Sequence, residues 1–593
     1  MFHIISGPFQ PLLELSLVKE IQELKAADPF TPLAIVVPSE ILRQRVQWLL
    51  CVEQGLALFD VHFLTFHQLA LRLYDEQIHN VGQGSSPSCD LVSDLVCRQL
   101  LRDILGRDIP AFKTLSRFRE SPGLCAALWA TIRDLNEAMI DPMAVLLGLD
   151  EGVFGKDPQD SLRTLLSLQV HMQEEMKVLQ IGNAEDLAQR VIPWVMDSHF
   201  LARLSCVCYY GFYDLSQIQL SLFEAVTQKI AVTAYIPLID DPAFAFAQRF
   251  HDRYLSSSVA SKQPVISHGE TEHSRTMTHQ PAIKMLNAVG VEDELTLVCK
   301  EIGDLVELHG YNFDEIGIVA RVLEPYQPWV VRAFHQHRIP FTSSAVMSMI
   351  HQPVIKLLLQ LGGLVSHRFP AKDLFDILKS PYFRMSRLTN RHDLIQPELW
   401  QKHVQQFGIT RGEEQWHQLS VLLDSDHEAS SDWERRRRKP ARQLVSCESM
   451  QLFDRCIQEL IADCRALPTS GRIEELSEAF LSLIRSYLLV PGLETEGAND
   501  EQISLQVDSA SSHDVTIAEG MQSVCALLKQ LYVLRDTMTW DEWMDLLRSV
   551  LEEVSLPLEP GPHRGVRVLD AMTARGLPFR ALFVLGLNEK VFP

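Results

Sequence analysis

The stretch that decides the fold is CVCYYGFYDLSQIQ, residues 206–219. Its first four residues are apolar, and a short apolar run of this kind is typical of a buried strand. Polar residues follow, and helical spacing begins near Ser216. The stretch therefore predicts a buried strand, a turn and a helix. Asp214 lies at the junction, where its side-chain oxygen is a candidate cap for that helix.

The same residues resemble a motif of superfamily 1 DNA helicases, the UvrD/RecB-like proteins, which reads D-E-x-Q-D-x-[ST]-x-x-Q. Asp214 and Gln219 match its second aspartate and its last glutamine. In the family the first two acidic residues hold magnesium and position the attacking water. Tyr210 and Gly211 stand there in this chain, and neither offers the anionic oxygen that magnesium prefers. The resemblance implies a helicase-like fold without the metal chemistry.

A second resemblance lies in residues 566–593, which read VRVLDAMTARGLPFRALFVLGLNEKVFP. The helicase counterpart is roughly V-x-x-x-T-x-H-x-x-K-G-L-E-F-x-x-V-F-x-x-G-x-x-E-x-x-F-P. The variant that begins at Arg575 looks more like the AddB branch, in the AddAB helicase–nuclease of double-strand break repair, and its PD-(D/E)XK relatives. The alternative is an ordinary strand–turn–strand unit. The match of Gly586 and Glu589 in the same register favours the resemblance.

The N-terminus has the local setting of a phosphate-binding loop, because a short apolar strand runs into a turn at Gly7. A working loop, G-x-x-x-x-G-K-[ST], needs a second glycine, a lysine and a hydroxyl. Leu12, Leu13 and Glu14 stand in those three places. Two prolines in this turn also remove amide donors. We therefore expect a strand–helix junction that has lost nucleotide binding, so that no ATPase activity and no cofactor are expected from this chain.

Length and composition indicate a globular protein of several domains. The chain has 593 residues, of which 46% are hydrophobic and 22% are charged. The sequence contains no uninterrupted apolar segment of about 18 residues and no basic region followed by an apolar core, so it predicts neither a membrane span nor a secretory signal. The 11 cysteines include no C-x-x-C pair. We therefore expect free thiols, no metal site and a cytoplasmic location.

Net charge is unfavourable for a nucleic-acid binder, since the chain carries −22 at pH 7. A local positive channel remains compatible with this value, because binding depends on where the cations lie. Tight, independent, non-specific binding is not expected. One dense basic run occupies residues 435–439, and a phosphate-contacting edge and a solvated loop are both open interpretations of it.

Two apolar strands near the start are each followed by a predicted helix, at 40–50 and 68–74. In the helicase family the segments after these strands line the path of single-stranded DNA. The resemblance makes Ser39, Arg43, Thr65 and Phe66 the DNA-facing candidates. Ser39 and Thr65 fit the role of helix N-cap equally well.

The order of these patterns predicts an α/β fold of two RecA-like (P-loop NTPase-like) parallel-sheet domains, each with a mostly helical insertion. The first RecA-like domain covers 1–78 and 196–255, with an insertion at 79–195. A linker spans 256–285. The second RecA-like domain covers 286–355 and 560–593, with an insertion at 356–559. Arg321 follows a strand of this domain, where active family members direct an arginine at the terminal phosphate; a structural ion pair is its expected role here.

The resemblance implies a helicase-like, ATPase-inactive region of an AddB-type helicase–nuclease. The partners that it implies are DNA, which we expect to be single-stranded, and a motor helicase–nuclease subunit. The family's last helicase motif and its nuclease domain would follow Pro593, so a fragment of a longer protein is expected. Exonuclease activity, Mg²⁺ and an iron–sulfur cluster would belong to that further domain. The alternative is a structural subunit that binds a partner helicase without contacting DNA, which the acidic net charge favours.

Overall fold

The computed structural model describes residues 2–81, 90–119, 121–153, 159–255, 283–343, 346–384, 394–419, 447–489, 512–534, 537–557 and 565–588. Contacts divide the chain into unit 1, which comprises Met1–Ser344 and Pro562–Pro593, and unit 2, which comprises Ala345–Gly561. Three predicted features lie outside the described residues. They are most of the linker, the basic run at 435–439, and residues 589–593 of the C-terminal motif.

Short strands are distributed along both units. In chain order they are β1 (Phe2–Gly7), β2 (Leu33–Val37), β3 (Val61–Thr65), β4 (Asp90–Leu91), β5 (Ile181–Gly182), β6 (Cys206–Tyr210), β7 (Val232–Pro237), β8 (Ile316–Ala320), β9 (Phe341–Ser343), β10 (Val346–Ser348), β11 (Ser470–Arg472), β12 (Thr537–Thr539), β13 (Ser555–Pro557), β14 (Val566–Asp570) and β15 (Ala581–Leu585).

Helices make up most of the remaining described structure. They are α1 (Glu14–Ala27), α2 (Glu40–Trp48), α3 (Phe66–Val81), α4 (Asp94–Leu105), α5 (Pro122–Glu137), α6 (Pro142–Asp150), α7 (Gln159–Val178), α8 (Ala184–Val191), α9 (His199–Arg203), α10 (Gln217–Lys229), α11 (Ala245–Phe250), α12 (Val291–Glu307), α13 (Gln327–His337), α14 (Pro353–Gly363), α15 (Ala371–Leu378), α16 (Pro397–Gln406), α17 (Cys447–Arg465), α18 (Ile473–Tyr487), α19 (Ser512–Gln530) and α20 (Trp540–Glu553).

The first sheet of unit 1 has five parallel strands in the order β1-β7-β6-β2-β3. Every residue of β2, β6 and β7 is buried, which explains their nearly continuous apolar sequences. Alternate residues of β2 enter two different cores. Leu33 and Ile35 pack with α1 and α2, whereas Ala34 and Val36 pack with α3, α8 and α10. Helices therefore cover both faces of this sheet.

The second sheet of unit 1 has four parallel strands in the order β15-β8-β14-β9. β14 and β15 lie far along the chain from β8, yet they pair on either side of it. The predicted return of a core strand at Val566 is confirmed. Because both sheets are parallel and helices join their strands, the predicted α/β class is confirmed.

Unit 2 is mostly helical, with α14 to α20 and two short antiparallel ladders, β10–β13 and β11–β12. Its core is rich in aromatic rings. Phe453 stacks on Phe375 and Trp400, with ring centroids 5.6 and 5.1 Å apart. A second aromatic group joins Phe480 to Trp543, with centroids 5.1 Å apart. Such large rings bury much apolar surface, so they hold the helices of this unit together.

None of the helices in the described ranges is both long enough and apolar enough to cross a bilayer.

Candidate functional site

The turn after β1, where a phosphate-binding loop would lie, is filled by its own side chains. An added Cβ on Gly7 would lie 2.2 Å from Cδ2 of Leu12, so the leucine side chain covers the glycine. Leu13 is fully buried in the core between the sheet and α1. Its amide is directed back into the turn, where it donates to the Pro8 carbonyl at 3.2 Å. The turn therefore presents leucine side chains where a phosphate-binding loop presents amides and a lysine.

Charge at the start of α1 is also unsuited to phosphate. Glu14 stands in place of the loop hydroxyl and pairs with Arg45 at 3.0 Å, with both side chains largely buried. Arg45 forms a further ion pair with Glu53. Burial alone would lower the pKa of Arg45, but hydrogen bonds and charges from Glu53 and Glu14 raise it. The guanidinium is therefore neutralised by two carboxylates.

At the end of β6, Tyr210 and Gly211 lie where the family motif would place its metal-binding carboxylates, and both take part in packing. Tyr210 is buried, and burial raises the pKa of its phenol well above the ordinary value, so that it stays neutral. Gly211 has φ of +86°, a conformation that favours glycine. An added Cβ on Gly211 would lie 2.7 Å from Leu42 Cδ2 and 3.2 Å from the Phe9 ring. Gly211 thus serves close packing here.

Phe9 joins this edge of the first sheet to the turn after β14. Its ring makes edge contacts with Tyr210 and Tyr213, at centroid distances of 5.8 and 5.9 Å. It also lies against Gly576, where an added Cβ would be 2.8 Å from Phe9 Cζ. Gly576 has φ of +76°. We call the space between Gly211 and Gly576 the interstrand cleft; the Phe9 ring occupies it.

Arg575 closes the outer side of the cleft. Its guanidinium carbon lies over the rings of Tyr213 and Phe246, at 5.4 and 5.9 Å from the centroids. Such cation–π contacts contribute about 0.5–1 kcal/mol at exposed sites. The turn that carries Arg575 is held by Asp570, whose carboxylate accepts hydrogen bonds from the amides of Met572 and Thr573 at 2.9 Å. Burial works against ionisation of Asp570, but these hydrogen bonds outweigh it and lower its pKa.

Gln219 has the structural role that was predicted, whereas the predicted cap at Asp214 is wrong. The N-cap of α10 is Ser216, whose hydroxyl accepts from the Gln219 amide at 3.4 Å. Gln219 Oε1 in turn accepts from the Ser216 amide at 3.2 Å. Asp214 lies two residues earlier, with an exposed side chain. The helix begins at Gln217, three residues after Asp214, so the reciprocal pair of Ser216 and Gln219 forms at its start instead.

Replacing Ser216 by alanine should therefore lower the free energy of unfolding by about 1 kcal/mol, because the Gln219 amide loses its acceptor. The matched variant Asp214→Ala should leave stability unchanged. Melting of both variants by differential scanning fluorimetry is the measurement. A larger loss for Asp214→Ala than for Ser216→Ala would return the capping role to Asp214.

The four DNA-facing candidates lie at the ends of β2 and β3. Ser39 caps α2 by accepting from the Leu42 amide at 3.2 Å. Thr65 accepts from the Gln68 amide at 3.3 Å and donates its own amide to Gln68 Oε1 at 2.9 Å. Of the two roles that fitted these residues, helix capping is confirmed.

Arg43 and Phe66 are less available to DNA than the sequence suggested. Arg43 is held by Glu40 through a bidentate ion pair. Phe66 is only 8% exposed, and its ring packs on Tyr209 and Phe212 with centroids 5.5 and 5.1 Å apart. No free ring face remains for stacking a base in this conformation. Phe66 therefore offers little ring surface to a DNA strand in this structure.

Two further observations concern arginines near the cleft. Arg321 directly follows β8 and is exposed. Arg567 of β14 is half-buried over the Phe579 ring, at 5.7 Å from the centroid. Burial, and then the nearby charge of Arg45, lower the pKa of Arg567. Sequence reasoning missed Arg567, Phe9, Phe246 and Arg45. A signal for Phe9 was present, since it is a large ring immediately after the glycine–proline turn.

No family model matches this chain. Curated relatives do match it along nearly its whole length. A protein of Desulforudis audaxviator, named as the B subunit of an ATP-dependent helicase/deoxyribonuclease, is 24% identical, over 96% of this chain and 51% of its own length. Proteins of the same name from Pelotomaculum thermopropionicum and Symbiobacterium thermophilum are 23% and 22% identical, over 96% and 100% of this chain and 50% and 53% of their own lengths.

The chain thus spans about half the length of the curated relatives it matches. The match with the Symbiobacterium protein covers the whole chain, so it includes both segments whose sequences resemble helicase motifs. The chain is therefore similar, along nearly its whole length, to curated proteins named as the B subunit of an ATP-dependent helicase/deoxyribonuclease.

Proposed function

We propose that this chain forms a helicase-like, ATP-independent DNA-binding region of an AddB-type helicase–nuclease that acts in double-strand break repair and recombination. In this proposal the two parallel sheets of unit 1 are RecA-like domains that have lost nucleotide chemistry. The single observation that carries it is the interstrand cleft, which the Phe9 ring fills between Gly211 and Gly576.

A nucleotide needs several groups that this cleft replaces. Backbone amides and a lysine would cradle its phosphates, and oxygen ligands would hold its magnesium. Leu12 covers Gly7 instead, and Glu14 adds a carboxylate that would repel phosphate. Tyr210 stands in place of a metal ligand and stays neutral. Binding a nucleotide here would require moving Phe9 and uncovering apolar surface, both of which cost free energy.

The relatives are named as the B subunit of an ATP-dependent helicase/deoxyribonuclease, which supports a partner subunit and a DNA substrate for the whole protein. We propose that the partner is a motor helicase–nuclease subunit that supplies ATP hydrolysis. This chain then guides a DNA strand, taken to be single-stranded, past the strand ends near Ser39, Arg43 and Thr65. Ser39 and Thr65 cap as acceptors, which leaves their hydroxyl O–H groups to donate to phosphate oxygens.

A second candidate function is a structural subunit that binds a partner helicase without contacting DNA. The net charge of −22 favours it. So does the ion pair that occupies Arg43. The two candidates differ in one measurable property, which is affinity for single-stranded DNA.

We expect the protein to bind a fluorescein-labelled single strand weakly alone and more tightly with its motor partner. If three or four phosphates are contacted, affinity should fall about 20- to 50-fold between 50 and 200 mM salt, because counterions are released on binding. Fluorescence anisotropy at the two salt concentrations measures this. Arg43→Glu should weaken binding further.

Arg163→Glu is the matched control, since Arg163 on α7 is likewise paired with a carboxylate, Asp150, at 2.6 Å. It should bind like the wild type. Absence of binding at 50 mM salt, with and without the partner, would leave the structural-subunit function standing. Binding that ignores both salt and Arg43→Glu would show that the DNA path lies on another surface.

A further inference from the structure

Unit 2 contains a polar cavity of about 750 Å³ that is lined by arginines. Its lining includes Arg368, Arg411 and Arg465, together with His417. Two carboxylates, Glu413 and Glu414, also line it, and Glu413 is already paired with Arg465. Three guanidiniums in one concave site are unusual in a chain whose net charge is −22. A concave surface with an excess of one charge raises the local concentration of ligands of opposite charge.

Hydrogen bonds between backbone groups join the two loops that carry Arg368 and Arg411. The Gly412 amide donates to the Arg368 carbonyl at 2.7 Å, and the Ala371 amide donates to the Thr410 carbonyl at 2.8 Å. Trp416, which is fully buried, donates its indole N–H to the Phe369 carbonyl at 2.8 Å. These hydrogen bonds fix the backbone at the rim of the cavity to the folded core of unit 2.

Backbone conformation at Arg368 is costly and points to a requirement at this site. Arg368 and Phe369 are consecutive non-glycine residues with φ of +60° and +52°. This region is unfavourable for both, because the Cβ atom approaches the following carbonyl oxygen. Such strain is often retained where it positions a functional side chain. Here it turns the chain so that Phe369 is buried and Arg368 is exposed at the cavity.

Arg368 and Arg411 are the cations available to a ligand. Within the described residues, neither makes an ion pair, and both are exposed. Arginine presents a planar set of donors that matches phosphate oxygens. A cavity of this size is in the range that admits a small ligand or one or two nucleotides of a strand.

We propose that this cavity, the arginine pocket, binds the phosphodiester backbone of a single DNA strand through Arg368 and Arg411. The inference rests on the proposed function, because it assumes that the protein binds DNA, and it adds a contact in unit 2 to those at β2 and β3. Arg465 is held by Glu413 and stays at the wall of the pocket.

The test is fluorescence anisotropy of the whole protein with a labelled oligothymidylate, comparing wild type with Arg368→Gln/Arg411→Gln. Losing two phosphate contacts should reduce the slope of log K against log[salt] by about 1.4. Affinity at 50 mM salt should fall about tenfold or more. Arg368→Lys/Arg411→Lys keeps the charges and should retain much of the binding. Inorganic phosphate at millimolar concentration should compete only weakly, because the strand also uses contacts outside the pocket.

Arg548→Gln is the control, since this arginine is exposed on α20 of the same unit and does not line the pocket. It should behave like the wild type in affinity and salt slope. If the wild type binds DNA and the Arg368→Gln/Arg411→Gln variant binds it equally well, the DNA contact proposed for the pocket is wrong and the proposed function is unaffected. Complete competition by millimolar phosphate, with loss of phosphate binding in that variant, would show a small-anion site and overturn the DNA assignment. Failure of the wild type to bind DNA, both alone and with its motor partner, would overturn both.

Discussion

Replacing Gly211 by alanine is expected to destabilise unit 1 by about 2–5 kcal/mol. Two costs add at this residue. A non-glycine residue at φ of +86° costs about 1–2 kcal/mol. The new methyl group would also lie 2.7 Å from Leu42 Cδ2 and 3.2 Å from the Phe9 ring, and overpacking of this kind costs about 1–3 kcal/mol.

The control for this prediction is Gly55→Ala, because the two glycines share only one of the costs. Gly55 has φ of +62°, but an added Cβ there meets nothing within 4 Å. Gly55→Ala should lower the free energy of unfolding by about 1 kcal/mol. The cost of the positive φ is partly offset, because alanine reduces the entropy of the unfolded chain. Urea unfolding followed by fluorescence measures both. Equal losses for the two variants would contradict the packing of Phe9 and Leu42 against Gly211.

Sequence reasoning succeeded where one physical requirement dominated. The strands β2 and β6 were predictable because burial on both faces demands apolar residues along the strand. The sequence also shows that Leu12, Leu13, Tyr210 and Gly211 lack the atoms that a nucleotide site requires, and the absence of ATPase activity stays a prediction. These predictions need no knowledge of which side chains meet in space.

Long-range packing was not predictable in the same way. Nothing in the local sequence around Phe9 shows that its ring lies against Gly576, which is 567 residues away. The exposure of Phe66 also depends on partners from β6 and the turn after it, Tyr209 and Phe212. The sequence therefore indicated which nucleotide-binding groups this chain lacks, but not which side chains pack at those positions.

Short-range hydrogen bonding caused the error at α10. Asp214 and Ser216 are both good N-cap residues, and only Leu215 separates them. Each has a glutamine three residues later, so the spacing of a reciprocal capping pair fits both. In the structure that pair forms between Ser216 and Gln219. The same spacing recurs at Thr65 and Gln68, where capping was confirmed.

The proposals for the cleft and for the arginine pocket are independent. If Phe9 fills the cleft and the arginine pocket does not bind DNA, the protein would still be ATP-independent. If the arginine pocket binds DNA and the cleft admits a nucleotide, the protein would still bind DNA. The salt dependence of DNA binding tests the pocket, whereas nucleotide turnover tests the cleft.

ATP hydrolysis by the whole chain, measured as phosphate release with single-stranded DNA and magnesium, tests the central claim most directly. We expect background release that DNA does not stimulate, because Phe9 and Leu12 occupy the space that phosphates need. A Gly7→Asp variant, whose carboxylate would repel phosphate, should give the same background. Turnover of about 1 per second or more that Gly7→Asp abolishes would show a working nucleotide site and contradict the account.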